Sequence, residues 1–453
     1  QYNVYALEGD ALTGTPIFLD LVMTDYDGIL PPIKPLNQDP ILQYLQNPMK
    51  EVVSDTLFKI SEFRPSFGLR YIGQASIGLA TDRFGTSIGG GISMLFSDVL
   101  NDHILGLGLQ MNGGLKDFGG EVVYQNLKKR PAWGAAISHI PYRIEQTFLD
   151  LVTINIGGTP VVAQQLSYYR QRVFNDRILL LGEYPLSINR RVEGTIGYNR
   201  IWFDNEIEQI TFIGDQILER KTISLPSEPG LDLMQTSLAY VGDYSFFGFT
   251  SPVNGSRYRF EVEGTVGSLN FATFLADYRK YLFHNPFTLA FRFLHYGRYF
   301  GDSESSRLTP LFIGYETYVR GYSPESYDVN ECTDGSGNGD CPEFDRLLGS
   351  RMAIFNTELR IALFGTRRLG LINFPVLPTE LVFFFDGGAA WTSSQSIKLK
   401  WKTNTSERVP VFSAGVALRF NIFNILIPQV YYAFPFQRPQ KKGLFGFVLA
   451  VGW

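Results

Sequence analysis

Few residues in this chain have types and spacings that could do chemistry. His103, His139, His284 and His295 are dispersed, and the sequence contains no HExxH, CxxC, GxSxG or GxxxxGK[ST] pattern. Zinc hydrolysis, dithiol exchange, serine acyl transfer and P-loop phosphate binding therefore lack their residue sets. The histidines read as structural or interfacial and the chain as no enzyme. What remains is electrostatic. In the segment 380–391, Asp386 shares the parity of Phe384 and Gly388, opposite Phe383, Phe385 and Trp391. In 351–364, Asn356, Glu358 and Arg360 share one face against Phe355, Thr357, Leu359 and Ile361. If both segments are strands, two carboxylates point the same way from neighbours and await a cation. Arg320 suits that role, because a planar guanidinium can hold two carboxylates from a fixed fork. On these residues alone the plainer alternative stays open, with two solvated carboxylates and a surface arginine.

Cys332 and Cys341 enclose the run Thr333 to Asp340. In an oxidising compartment they are expected to pair and close a short loop, the rival being two free thiols. The enclosed stretch also fits a calcium-loop pattern, with Asp334, Ser336, Asn338 and Asp340 in the early liganding positions, Gly339 at the turn between them and Asp345 in the last position. The last position usually holds Glu, and no flanking helices are evident, so a solvated tip is the other reading. No further cofactor is expected.

Composition indicates the scaffold that must position these residues. Among 453 residues there are 45 Gly, 24 Tyr and 37 Phe, and charged residues make up only 19%, below the roughly 25% usual in soluble domains. No run of about 18 apolar residues occurs, which excludes a helical membrane protein. A net charge of −4 with no basic stripe sets nucleic acid aside. The absence of a charged and apolar leader leads us to expect either a removed signal peptide or a fragment. Residues 1–62 hold Pro16, Pro31, Pro32, Pro35, Pro40 and Pro48 and read as a periplasmic arm or linker. The stretch Tyr2 to Leu7 followed by Gly14 resembles the last strand of a TolB-like propeller blade, which implies a propeller domain upstream.

From residue 63 to 453 short segments alternate apolar and polar between turn residues, the period-2 signature of half-buried strands. We place about sixteen strands, at 66–73, 86–96, 103–113, 118–127, 132–140, 169–186, 191–204, 232–246, 256–266, 270–281, 287–299, 351–364, 380–391, 411–420, 425–434 and 444–453, with a split in the sixth at Asn175-Asp176 left open. In the last, Phe445, Phe447, Leu449, Val451 and Trp453 share a parity against Gly446, Val448, Ala450 and Gly452. Large apolar residues on one face and small ones on the other suit a lipid-facing wall around a polar lumen. Connections also alternate in length. Those at 74–85, 141–168, 205–231, 300–350, 392–410 and 435–443 are long and most of those between them short, though 365–379 is long and 114–117 and 267–269 are short where long ones are expected. The fold class is all-β: a transmembrane antiparallel barrel with both chain ends on the periplasmic side.

Val319-Arg320-Gly321-Tyr322 and, one strand later, Phe384-Phe385-Asp386-Gly387-Gly388 resemble the two signatures of the BamA/TamA/two-partner-secretion superfamily of outer-membrane barrels. These are the VRGY/F motif of an inward-folded extracellular loop and the FxDxG motif of a late strand. The resemblance runs from about Phe63 to Trp453. It implies that Arg320 pairs with Glu358 and Asp386, pinning the long loop inside the barrel, and that Phe447, Leu449, Val451 and Trp453 form a C-terminal strand signal for assembly.

The resemblance further implies a barrel in the outer membrane of a Gram-negative-type bacterium that assists insertion or translocation of proteins. Its partners would be outer-membrane lipid and lipopolysaccharide, client polypeptides, and accessory outer-membrane or periplasmic proteins. Tandem POTRA domains, which receive clients in BamA-like proteins, are not recognisable in this sequence. Two alternatives stand beside this function: a passive or plugged transport pore, and a membrane anchor for a periplasmic or surface partner complex.

Overall fold

The computed structural model describes residues 64–453 apart from 74–75, 83–84, 112–114, 215, 329–330, 332–340, 404–406, 424–425 and 450–453. The expected arm at 1–62 lies outside the described residues. Sixteen strands follow in chain order. They are β1 in two pieces (Gly68–Ile72 and Ser76–Asp82), β2 (Gly85–Ser97), β3 (His103–Met111), β4 (Phe118–Asn126), β5 (Ala132–Ile156), β6 (Thr159–Ser187), β7 (Arg190–Ile213) and β8 in two pieces (Gln216–Leu225 and Leu231–Asp243). Then come β9 (Pro252–Gly267), β10 (Phe271–His284), β11 (Phe287–Tyr299), β12 (Arg351–Gly365), β13 (Thr379–Trp391), β14 (Val411–Phe420), β15 (Pro428–Pro435) and β16 (Leu444–Leu449). Each strand pairs antiparallel with the next, from β1 on β2 to β15 on β16. Among the described residues no ladder joins β1 to β16.

The two faces of the barrel wall differ as the parity requires. Along β8, Leu233, Ser237 and Ala239 are buried, while Met234 and Leu238 between them are exposed. Large apolar side chains on the outer face, among them Ile178, Phe260 and Phe293, are exposed in the same way. A soluble sheet would bury that set. Here the inner face carries the polar and charged residues.

Three expected loops are strand instead. Residues 141–168 lie within a hairpin in which β5 and β6 pair without a break from Ala132↔Glu183 to Ile156↔Thr159, so β6 has no split at Asn175-Asp176. Residues 205–225 continue β7 into the first piece of β8, and the second piece of β1 folds back on β2. The reason is physical. Once neither face meets lipid, the apolar contrast that marks a strand disappears, while the backbone still needs its hydrogen-bond partners. Ion pairs take over the outer face of β5–β7, with Arg172 donating to Asp117 at 2.8 Å and to Glu206 at 2.9 Å.

At the end of the barrel opposite the 300–350 loop, two connections fold back. Phe246 and Phe247 pair on the start of β9. Ile372 and Asn373 lie parallel beside Phe364 and Gly365.

Candidate functional site

The connection between β11 and β12 turns inward because its own apolar residues need cover. Phe312, Ile313, Val319, Tyr322 and Leu347 form one buried cluster with Leu294 of β11, Met352 and Ile354 of β12, Ala390 of β13 and Val411 of β14. Met352 and Ile354 share the face of Asn356 and Glu358, so the cluster lies in the lumen. Each such side chain fully buried contributes about 1.5–3 kcal/mol relative to exposure.

Within that seat the two motifs meet residue by residue. Arg320, only 2% exposed, grips Asp386 as a fork, with Nε donating to Oδ2 at 2.7 Å and Nη2 to Oδ1 at 2.8 Å. Its backbone N–H adds a third bond to Asp386 at 3.2 Å. Its Nη1 lies 2.9 Å from Glu358, and the guanidinium stacks 3.6 Å above the Phe384 ring. Asn356 Nδ2 donates both to Asp386 Oδ1 at 2.8 Å and to the Tyr318 carbonyl at 2.7 Å. The glycines serve the fit. Gly321 has φ +89°, a left-handed turn that L side chains resist, and a Cβ at Gly388 would come within 2.6 Å of Val319. Tyr322 Oη donates to the Phe412 carbonyl at 2.9 Å and accepts from the Gln437 N–H at 3.1 Å. All eight motif residues are thus brought together.

Glu358 does not serve Arg320 alone. Arg360 Nε donates to it at 2.7 Å and Arg419 Nη2 at 2.8 Å. Arg419 also reaches Glu380 at 3.2 Å. Three arginines and three carboxylates (Glu358, Glu380, Asp386) therefore neutralise one another, all of them buried. From this set the bonds run on toward the opposite end, where Arg360 Nη1 donates to the Pro252 carbonyl at 2.9 Å and Ser251 Oγ donates to Glu380 at 3.0 Å. Asn421 holds the adjacent Phe249 carbonyl.

A second clasp escaped the sequence. Arg438, between β15 and β16, is fully buried and forks onto Glu331 at 2.9 and 2.8 Å. It also donates to the Gly321 carbonyl at 2.7 Å and lies 3.8 Å from the Tyr327 ring. No strand parity marks a loop arginine, so nothing in the pattern pointed to it. Arg419 of β14 was likewise not among the residues singled out from the sequence.

Other expected residues are not brought to this site. Cys332, Asp334, Ser336, Asn338 and Asp340 lie outside the described residues, and Asp345 ends a short helical turn, Pro342–Asp345. Among the described residues there is no group of three or more potential metal ligands. Phe447 and Leu449 of β16 are exposed on the outer face, and Val451 and Trp453 lie outside the described residues.

Residues 236–452 match the Omp85 superfamily domain, a span that contains both motifs and their seat. Two solved structures align over 85% of this chain. BamA from Haemophilus ducreyi lacking POTRA domains 1–3 is covered to 70% of its own length, at 14% identity and a TM-score of 0.45. CdiB from Acinetobacter baumannii is covered to 65%, at 11% identity and a TM-score of 0.43. No curated protein matches the sequence.

Arg320→Ala leaves Asp386 buried without its fork, a loss of about 3–5 kcal/mol for a broken buried pair. We expect the 300–350 loop to become cleavable by added protease while the strands persist by circular dichroism. Unchanged protection would count against a pinning role. The second clasp gives a pH dependence. Burial alone would raise the Glu331 carboxyl, but its bonds to Arg438 hold it below the usual carboxylate range. A lowered folded pKa gives stability that is complete above the unfolded value, about 4.3, and lost as pH falls through the folded value. Glu331→Gln should therefore cost about 1.5–3 kcal/mol at pH 7. In thermal melts the gap from the parent protein should close below about pH 4, and a gap independent of pH would refute the assignment.

Proposed function

We propose that this chain, whose residues 236–452 match the Omp85 superfamily domain, is an outer-membrane barrel of that superfamily that assists insertion or translocation of polypeptides. The observation that carries this reading is the motif loop seated in the lumen, with Arg320 between Asp386 and Glu358. Strands entering lipid must have every backbone group paired, and a barrel whose wall can exchange partners lowers the cost of that step. Client chains, accessory envelope proteins and outer-membrane lipid, lipopolysaccharide included, are its partners under this proposal.

A pore is the second reading, favoured by one observation. On the lumen wall a cavity of about 240 Å³ is lined by Arg191, Asp243, Arg257, Arg259, Asp277 and Arg279, a polar surface suited to solutes. Vesicles carrying the protein separate the two. Insertion activity predicts that an unfolded barrel client folds at least about tenfold faster than in empty vesicles, a barrier lowered by about 1.4 kcal/mol. Unaccelerated folding together with solute-selective conductance would instead establish the pore. We also propose that Cys332 and Cys341 pair. Alkylation without reductant should then leave the mass unchanged; a mass gain removes that claim.

A further inference from the structure

Three connections at the end of the barrel away from the 300–350 loop share an unusual chemistry. The β4–β5 turn carries Leu127, Lys128, Lys129 and Arg130, and the β6–β7 turn carries Leu186, Ile188 and Arg190. The β12–β13 connection carries Arg367 and Arg368, followed by Leu371, Ile372, Phe374 and Val376. No acidic residue occurs in 122–144, 184–192 or 359–379. The apolar residues named here are all exposed, as are the six cations. Among the described residues none of the six makes an ion pair. At the loop end, by contrast, Lys398 and Lys402 both pair with Glu407.

The geometry sets this rim against the outer wall. In the β12–β13 connection, Leu371 N–H donates to the Ala362 carbonyl at 2.9 Å and Phe374 N–H to the Gly365 carbonyl at 2.8 Å. These bonds fold the segment back on β12, with the Phe374 ring edge-on to Phe364 at 5.8 Å. Phe364 pairs with Thr379, whose neighbour Glu380 faces the lumen, so Phe364 and Phe374 face outward. Directly beyond them the exposed side chains of Leu282, Phe287 and Leu359 belong to the wall itself. The apolar surface thus runs past the strand ends without interruption, and it is there that the unpaired cations begin. Arg130 joins two of the turns, donating to the Pro185 carbonyl at 3.1 Å while stacking 4.9 Å from the Tyr184 ring.

Apolar side chains with cations immediately outside them match one surface, the boundary between acyl chains and phosphate groups. We propose that this rim is a phospholipid collar. Lys128, Lys129, Arg130, Arg190, Arg367 and Arg368 bind the phosphates of anionic glycerophospholipids in the leaflet at that end, while Ile188, Ile372 and Phe374 enter its acyl region. The collar rests on the membrane-barrel reading and adds to it a lipid preference and a leaflet.

The test uses the full chain in vesicles of phosphatidylglycerol and phosphatidylcholine, with either lipid brominated on its acyl chains. Phe374→Trp reports on the rim and Phe293→Trp on the mid-wall, each corrected for the five native tryptophans of the parent. At the rim we expect blue-shifted emission shielded from iodide, with brominated phosphatidylglycerol the stronger quencher. That preference should fall about fivefold for each cation removed, following the typical attraction of one basic residue to an anionic surface, in the series R368Q, R367Q/R368Q and K128Q/K129Q/R367Q/R368Q. If iodide quenches the rim tryptophan while brominated lipid quenches the wall tryptophan, the collar is refuted and the barrel stands. If iodide quenches both, the membrane wall itself is wrong. Equal quenching by the two lipids, or by a phosphorylated glycolipid as well as phosphatidylglycerol, refutes the stated preference.

Discussion

The arrangement depends on a guanidinium held where water cannot reach it. A buried arginine is tolerable only when its charge is cancelled and its N–H donors are used. Arg320 meets that condition in one place, the angle between Asp386 on β13 and Glu358 on β12. The pairing therefore fixes both where the loop lies and how two strands are registered, since Asn356 stands opposite Asp386 and Glu358 opposite Phe384. The apolar cluster of the loop could slide on the inner wall. The fork cannot, because its two bonds to Asp386 fail together if the loop shifts.

The rest of the inner charge set is a consequence. Glu358 and Asp386 bring Arg360 and Arg419 into balance, and those in turn reach the Ser251–Pro252 segment at the far end. A displacement of the loop thus changes the charge balance felt by a connection on the other side of the barrel. Arg438 and Glu331 hold the outer part of the same loop by an independent pair.

Much of this was legible before any coordinates. All sixteen strands were, because lipid on one side and a polar lumen on the other write opposite chemistries onto alternate residues. The inward direction of Glu358 and Asp386 followed from the same parity. The projecting hairpins at 141–168 and 205–225 were not legible, since residues such as Gln164, Gln165, Glu206 and Glu208 meet water or ion pairs and leave no period-2 contrast. Arg438 was illegible for a related reason: a loop residue has no face to share, and its partner Glu331 lies 107 positions away. The small size required at Gly388 becomes explicable only with Val319 against it.

The central claim is that Arg320 and Asp386 act as one unit. A thermodynamic cycle of Arg320→Met, Asp386→Leu and the double variant, read by hydrogen exchange in the 300–350 loop, tests it most directly. A buried pair removed together leaves no orphaned charge, so the double variant should protect the loop better than either single one, with a coupling of about 2 kcal/mol or more. Additive losses from the two substitutions would contradict the account.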